Sequence, residues 1–402
     1  MTAIGIDVSK GKSMMAGVSC NKVVVIEPIE FSHTEEALNR IVEQIRTIND
    51  ETRVVLEATG HYHEAVVAHF IKNDIYVSVV NPLLVHDYGN NTVRRIKTDR
   101  KDAIKIARYG LDNWAELREY IPQDMVRQQL KMFSRQYNLS MKTIRALENN
   151  LISLLDKTFP GLNKLFVSRK RKDGRQKWLD FSQTYWHVAT ITQMPESDFI
   201  ADYKTWCIKM GYQFKETKAC EIYAYCQKQK PIITLPFNTI NSLLITTAVE
   251  QILHMSRGLA IIKDEMIHLA TLLPEHETVI SLYGVGALTA AQLIAEIGDV
   301  RRFHKRGSLT AYAGIDPLPQ QSGKYEKKST KTSKRGSASL RKTLFQVICT
   351  YLRRAPEHES IFHFIDKKRA EGKPYFVYMT AAANKFLRIY YARVKAGLET
   401  TG

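Results

Sequence analysis

The sequence has few cysteines, no long apolar run and fewer acidic than basic residues. The five cysteines among 402 residues are odd in number, scattered and without the paired spacing of a zinc site. This pattern excludes a disulfide framework and favours reduced thiols in a cytoplasm. No apolar stretch approaches the length of a membrane span, and the chain enters a strand at once instead of a signal peptide. We therefore expect a soluble cytoplasmic protein that does not partner a membrane.

The shortage of acidic residues leaves 58 Lys and Arg against 41 Asp and Glu, a formal net charge of +17. A basic chain suits a polyanionic partner such as nucleic acid, although charge alone does not identify one. With 44% hydrophobic residues, the chain can bury a full core and is long enough for two or more domains.

The first third has the pattern of an α/β domain. Short apolar or β-branched runs bounded by turns predict strands, and Thr34 is placed to cap the first helix. The strands are predicted at 4–8, 13–18, 22–26, 53–56 and 75–81, with helices at 34–48 and 63–72. The order β-β-β-α-β-α-β is that of the RNase H-like fold.

Four acidic residues stand at the ends of these elements. Asp7 ends the first strand, Glu57 ends the fourth, and Asp99 and Asp102 share one face of a helix that Thr98 would cap. Each acid alone has an ordinary explanation as a turn or first-turn residue. Together, at one edge of one sheet, they indicate oxygen ligands for Mg²⁺, the cation that serves phosphodiester chemistry.

The middle of the chain is dominated by two long amphipathic helices, predicted at 124–156 and 241–273. The second could pair with a twin helix in a coiled coil or pack against the first within one chain. Between them, 161–240 contains a basic loop at 169–175 and no catalytic constellation, so we interpret it as a basic linker or insertion of unknown role.

The last third contains two candidate nucleic-acid features. Residues 282–291 have the form of a helix-hairpin-helix, in which Gly284 and Gly286 let backbone amides face a phosphate. Ser322, followed by Gly323 in a basic tract, is a candidate nucleophile; the alternative is an ordinary turn serine. Tyr325 is a weaker candidate. The cations expected to contact nucleic acid are Lys324, Lys327, Lys328, Lys331, Lys334, Arg335 and Arg341.

These motifs resemble those of the DEDD-type insertion-sequence transposases of the IS110 and IS1111 group. The likeness lies in Gly-Ile-Asp-Val-Ser-Lys at 5–10, Glu-Ala-Thr-Gly at 57–60, Lys-Thr-Asp-Arg-Lys-Asp-Ala at 97–103, and the stretch from 314 through Ser322 to 341. The resemblance implies a RuvC-like N-terminal domain and a mainly helical C-terminal domain with a catalytic serine.

The same resemblance implies roles and partners. Asp7, Glu57, Asp99 and Asp102 would bind Mg²⁺, with Mn²⁺ as a substitute, and Ser322 would attack a DNA phosphodiester to give a covalent phosphoserine intermediate. The partners would be the DNA of the element ends and target, and a structured noncoding guide RNA, the bridge RNA. A homo-oligomer, dimer or tetramer, would let one subunit's serine complete another's metal site. The cell would be bacterial or archaeal, with the protein near the nucleoid.

We accordingly expect four segments: a RuvC-like catalytic domain at 1–160, the linker or insertion at 161–240, a long helix at 241–275, and a transposase domain at 276–402. The expected activity is RNA-guided excision and insertion of the protein's own element. One alternative is a Holliday-junction resolvase-like or RNase H-like nuclease, in which the acids activate water and Ser322 is a bystander. The other is a non-catalytic nucleic-acid-binding protein.

Overall fold

The computed structural model describes residues 1–58, 60–88, 98–166, 171, 175–229, 233–317, 321–322, 325–326 and 332–401, with the backbone alone at 321–322, 325–326 and 401. The chain forms two compact units, Met1–Gln123 and Asp124–Gly402. The sequence motifs predict the end of the first domain at 160. The compact boundary comes earlier because the helix that begins after Asp124 packs with the second unit.

The first unit is a five-stranded mixed sheet with helices on both faces. Its strand order is β3-β2-β1-β4-β5, with β1 antiparallel to β2 and parallel to β4. The elements are β1 Thr2–Val8, β2 Lys12–Ser19, β3 Val24–Ser32, α1 Glu35–Arg46, β4 Thr52–Glu57, α2 Tyr62–Lys72, β5 Val77–Val80, α3 Pro82–Asp87 and α4 Asp99–Asp112. The predicted RNase H-like order is confirmed.

Two details of this unit follow from local chemistry. Strand β3 runs to Ser32, past Pro28, whereas the sequence pattern predicted an end near 26. Proline has no N–H to donate, but β3 is an edge strand, where one side needs no ladder partner. The predicted caps are present: the hydroxyls of Thr34 and Thr98 accept from the amides of Ala37 and Lys101, each at 3.4 Å.

The two faces of the sheet are covered by different helices. Ile4, Ile6 and Leu56 pack with α1 and α2 in one core cluster. On the other face, α4 lies directly against β1, because Gly5 has no side chain. A Cβ at Gly5 would overlap the carbonyl oxygen of Ala103 and the amide nitrogen of Ala107.

The second unit is almost entirely helical. Its elements are α5 Met125–Leu155, α6 Lys177–Thr184, α7 Ala189–Thr192, α8 Glu196–Lys209, α9 Glu216–Gln229, α10 Thr239–Thr271, α11 His276–Ile280, α12 Ala287–Ile297, α13 Arg306–Ala313, β6 Gln321–Ser322, β7 Tyr325–Glu326, α14 Ala338–Arg354, α15 Ser360–Ala370 and α16 Tyr375–Thr401. Of the two arrangements left open for α10, the structure has the second: it packs along α5 of the same chain.

This unit has two apolar cores, one at each end of the α5 and α10 pair. One core is rich in aromatic rings, including Phe181, Tyr203 and Trp206, and is built by α6 to α9 with the neighbouring turns of α5 and α10. The segment 161–240, expected to be a linker or insertion, is therefore folded. The other core joins α12, α14 and α16.

A buried ion pair holds the start of α5 to the start of α11. The Nε of Arg127 donates to Glu275 Oε1 at 3.1 Å, and the Glu275 side chain is only 1% exposed. None of the helices that the structure describes has the length and apolar character of a membrane span.

Candidate active site

Asp7 and Glu57 lie side by side on the sheet face that α4 covers. The parallel register of β1 and β4 pairs Ile6 with Leu56, so the next step along both strands brings Asp7 beside Glu57. Ile6 and Leu56 face α1 and α2, and successive side chains alternate between faces. The two carboxylates consequently project toward α4, and both are half-buried.

The first turn of α4 lies at the same end of the sheet. Along β1, Ala3 is near Gly110 and Gly5 is near Ala107 and Ala103, so α4 runs antiparallel to β1. The two strand residues from Gly5 to Asp7 advance about 6.6 Å. The four helix residues from Ala103 back to Asp99 advance about 6 Å. Asp99 and Asp102 therefore lie near the end of β1 that carries Asp7.

Lys12 and Glu30 lie on the same face, and the sequence analysis missed them. Lys12 alternates with Met14 and Ala16, which contact Ala103 of α4. Lys12 Nζ donates to Glu30 Oε2 at 2.8 Å, and this hydrogen bond is the main cause that raises the pKa of Lys12. The negative charge of Asp99 raises that pKa further. The two-residue alternation from Met14, opposite Asp7, would have predicted this position.

The four acids share an end of the sheet without forming a closed ligand set. Among the described residues, no three His, Cys, Asp or Glu side chains are close enough together to hold a metal ion. Mg²⁺ keeps several waters and is usually bound by one or two carboxylates plus substrate phosphates, so a closed set is not required. The chemistry of these donors, all carboxylate oxygens, fits that ion.

Ser322 is in the second unit, on a short hairpin. Backbone pairing in β6 and β7 sets Ser322 opposite Tyr325 and Gln321 opposite Glu326. The base of this hairpin is closed by a bridge between Pro317 and Thr332. The role of Ser322 as nucleophile, with Tyr325 as the weaker candidate, stays a prediction.

The hairpin base is fixed by close backbone packing between the end of α13 and the start of α14. A Cβ at Gly336 would overlap the carbonyl oxygen of Tyr312, and Lys334 N donates to Gly314 O at 3.0 Å. Ser337 caps α14, accepting from Leu340 N at 3.1 Å and donating to Glu296 at 2.9 Å. The segment before and after the hairpin is thereby positioned on the helical core.

The residues expected to contact nucleic acid differ in solvent exposure, and some of them lie outside the described residues. Lys334 and Arg335 are exposed and Arg341 is half-buried. The helix-hairpin-helix is formed by α11 and α12, with Gly284 at φ +80° in the turn and Gly286 as N-cap of α12. Their roles stay predictions. Four further candidates lie outside the described residues: Lys324, Lys327, Lys328 and Lys331.

Two family models match the chain. One, for the DEDD group of IS110 and described as a transposase, matches residues 4–160; the other, described as the IS116/IS110/IS902 transposase family, matches residues 276–363. The chain belongs to the IS110 family of transposases. The matched segments contain all four acids and Ser322, and residues 161–275 lie between them.

The chain is also similar to individual proteins. A pilin gene-inverting protein of Moraxella bovis is 23% identical and covers 98% of this chain and 96% of its own length. The transposase of insertion sequence IS1111A from Coxiella burnetii is 32% identical over 23% of this chain and 26% of its own length. RuvC of Thermus thermophilus, solved with a Holliday junction substrate, is 14% identical, with a TM-score of 0.25 over 30% of this chain and 99% of RuvC. That low TM-score carries no argument, and the RNase H-like fold rests on the strand order described above.

Proposed function

We propose that this transposase cuts and rejoins DNA in a Mg²⁺-dependent reaction that passes through a covalent bond between Ser322 and DNA. The observation that carries the proposal is the arrangement of Asp7, Glu57, Asp99 and Asp102 at one end of the α4 face. A phosphodiester brought there would meet carboxylate oxygens, which together with substrate phosphates are the usual ligands of protein-bound Mg²⁺.

The attack by Ser322 exchanges one phosphate ester bond for another and needs no external energy source. The Ser322 hydroxyl oxygen bonds to phosphorus as the bond between phosphorus and a deoxyribose oxygen breaks; the hydroxyl proton leaves and the departing oxygen takes up a proton. A deoxyribose hydroxyl of another DNA end then attacks the phosphoserine and releases Ser322. The ester conserves the energy of the broken bond, so two ends can be joined.

Asp7 and Glu57 would hold the metal ion, with Asp99 and Asp102 supplying further oxygens from the helix. Bound Mg²⁺ supplies neutralisation of charge on the phosphoryl oxygens. Because Ser322 belongs to the other compact unit, the acids and the serine meet either within one chain or between subunits of an oligomer.

DNA at the element ends and target is the proposed substrate, and a structured RNA is the proposed source of sequence choice. The net charge of +17 supports polyanion binding of both kinds. A guide that pairs with DNA leaves the protein to contact backbone and shape. The end-to-end likeness to a pilin gene-inverting protein also favours a second candidate function, inversion of a DNA segment by the same strand exchange.

Covalent trapping tests the proposal. Full-length protein is incubated with DNA carrying the element ends, the guide RNA and MgCl₂, and the attached amino acid is mapped by mass spectrometry. We expect the DNA on Ser322, no adduct with Ser322→Ala, and an adduct with the matched control Ser329→Ala from the same basic segment. Sequencing of joined products separates insertion from inversion.

The alternatives give different results. Cleavage that persists at full rate in Ser322→Ala without an adduct supports a nuclease using activated water. Asp7→Asn keeps the size of the side chain but removes its charge. Loss of an outer-shell partner of a metal costs up to about 100-fold, so we expect loss of this direct ligand to reduce cleavage by more than that. Asp112→Asn, at the far end of α4, is the control. Unchanged DNA affinity with no cleavage in any form of the protein supports a non-catalytic binding protein.

A further inference from the structure

A basic cavity with an exposed aromatic ring lies beside the base of the serine hairpin. Its volume is about 330 Å³, and it is bounded by Thr332 and Lys334 from the hairpin base, Arg341, Lys342 and Phe345 from α14, and Phe376 from α16. Thr332 is the residue whose bridge to Pro317 closes the hairpin. A strand attacked by Ser322 would therefore pass close to this cavity.

The cavity is positively charged. Lys334, Arg341 and Lys342 contribute three cations, and none of its described lining residues is acidic. The hydrogen bonds of two of these cations go to neutral acceptors. Arg341 donates to the carbonyl oxygens of Ala313 at 3.0 Å and Gly336 at 2.9 Å, and Lys342 donates to the Asn138 amide oxygen at 2.8 Å. Neutral acceptors orient these cations and leave their charge available to an anion.

A fourth cation, Arg145, lies close enough to disfavour the charged form of Lys342. Lys342 is exposed, but partial desolvation lowers its pKa, and the nearby positive charge of Arg145 on α5 lowers it further. Like charges held together destabilise each other's charged form, and a phosphate placed between them removes that cost. The arrangement is thus complementary to a phosphate group.

Two aromatic rings also line the cavity, Phe345 and Phe376. Phe376 is the second residue of α16 and is 72% exposed, while Phe345 is half-buried beside it. An exposed ring next to a row of cations is the combination by which proteins hold single-stranded nucleic acid, with a base on the ring and the backbone on the cations. The cavity is at the lower end of the range for small-molecule sites, about 300–1,000 Å³, which suits one nucleotide and not a duplex.

We propose that this cavity holds one unstacked nucleotide of the DNA strand that Ser322 attacks, with its base against Phe376 and its phosphate on Lys342 and Arg341. The site would separate the strand from its duplex partner next to the bond that breaks. This inference rests on the proposed function for the choice of DNA strand, although binding to the cavity can be measured without any strand cleavage.

Photocrosslinking tests the site directly. Full-length protein is mixed with a 12-nucleotide single-stranded oligo-deoxythymidine that carries one 5-iododeoxyuridine, irradiated, and mapped by mass spectrometry. We expect the crosslink in the Tyr375–Phe376 peptide. In fluorescence anisotropy, Phe376→Ala should weaken binding about tenfold, the effect of losing one stacked base. The control Phe237→Ala removes another exposed ring, 46% accessible, from the same unit and should change affinity less than about twofold.

The charge is tested by salt dependence. Lys342→Gln should weaken binding and reduce the slope of log affinity against log salt by about one, whereas Lys263→Gln, on an exposed position of α10, should leave it unchanged. Affinity of Phe376→Ala within about twofold of the parent, with the crosslink elsewhere, overturns the proposal. A crosslink with the matching oligo-uridine RNA but not with DNA overturns it in favour of an RNA site.

The two proposals fail separately. If the Tyr375–Phe376 crosslink forms but no DNA is ever found on Ser322, the serine chemistry is wrong and the nucleotide site stands. If the Ser322 adduct forms while Phe376→Ala behaves as the parent, the chemistry stands and the cavity has no such role.

Discussion

The acids of the first unit and the serine of the second are positioned by different means. Asp7 and Glu57 extend from strands whose preceding residues are fully buried between two layers of helices. The serine hairpin has two strands of two residues each, tied at its base by the Pro317–Thr332 bridge and the bond from Lys334 N to Gly314 O. The acids are therefore fixed by the core, and the hairpin by a few local hydrogen bonds.

This difference suits a divided reaction. A metal site needs carboxylates whose backbone does not move when charge develops, and a buried sheet supplies that rigidity. A nucleophile that must reach DNA, form an ester and release it is better placed on a small element, since two short strands have little stability of their own. Substitutions at the backbone contacts under each element test whether the two are held as differently as this implies.

The largest effect is expected at Gly5. In Gly5→Ala the new methyl overlaps backbone atoms of Ala103 and Ala107, which cannot rotate away, so α4 must shift off the sheet. We expect the first unit to lose about 3–5 kcal/mol of stability, at or beyond the upper end for overpacking. Hydrogen exchange read by mass spectrometry should rise in β1 and α4 and remain unchanged in α12 and α14.

A matched substitution controls for the residue change itself. Gly258 is inside α10, where an added Cβ would meet nothing within 4 Å. Gly258→Ala should therefore stabilise the second unit slightly, by about 0.5–1 kcal/mol, because alanine is the better helix former. Normal exchange in β1 and α4 of Gly5→Ala would show that α4 is not seated on β1 as described.

A smaller effect is expected at Gly336, the equivalent contact under the hairpin. A methyl there overlaps Tyr312 O and lies 2.6 Å from Gly314 N. Since this contact is at the edge of the helical core, we expect a loss of about 1–3 kcal/mol. We expect the yield of the serine adduct to fall while the exchange protection of α12 stays close to that of the parent protein. If adduct formation and the exchange protection of α12 are lost together, the hairpin is held by the core and not by a few local hydrogen bonds.

The acids were predictable from the sequence and the cavity was not. Strand alternation, the β-β-β-α-β-α-β order and the spacing of Asp99 and Asp102 are local patterns, so they indicated both the fold and the end of the sheet where acids gather. The cavity depends on Lys342 of α14 and Phe376 of α16 lining the same space, and no local pattern specifies how these two helices pack. The sequence pattern at 161–240 indicated only a linker or insertion, because many of its large apolar residues, such as Trp178 and Tyr185, are aromatic and do not give a regular helical spacing.

The smallest effect concerns the aromatic core of the second unit. It is a difference in reactivity between one cysteine of each unit. Cys20 in the first unit is exposed, whereas Cys226 on α9 is buried. Burial raises the pKa of the Cys226 thiol from 9.0 to about 12. The neutral thiol is the form that the core accepts, so its contribution to stability is complete below about pH 9 and is lost as the pH rises from 9 toward 12.

Alkylation with iodoacetamide measures this difference. At pH 8 it should modify Cys20 within minutes and leave Cys226 unmodified. We expect Cys226 to react only as the pH passes 9 and the core opens. Equal rates at pH 8 would show that α9 opens freely, and the second unit would then have one firm core, around α12, α14 and α16, instead of two.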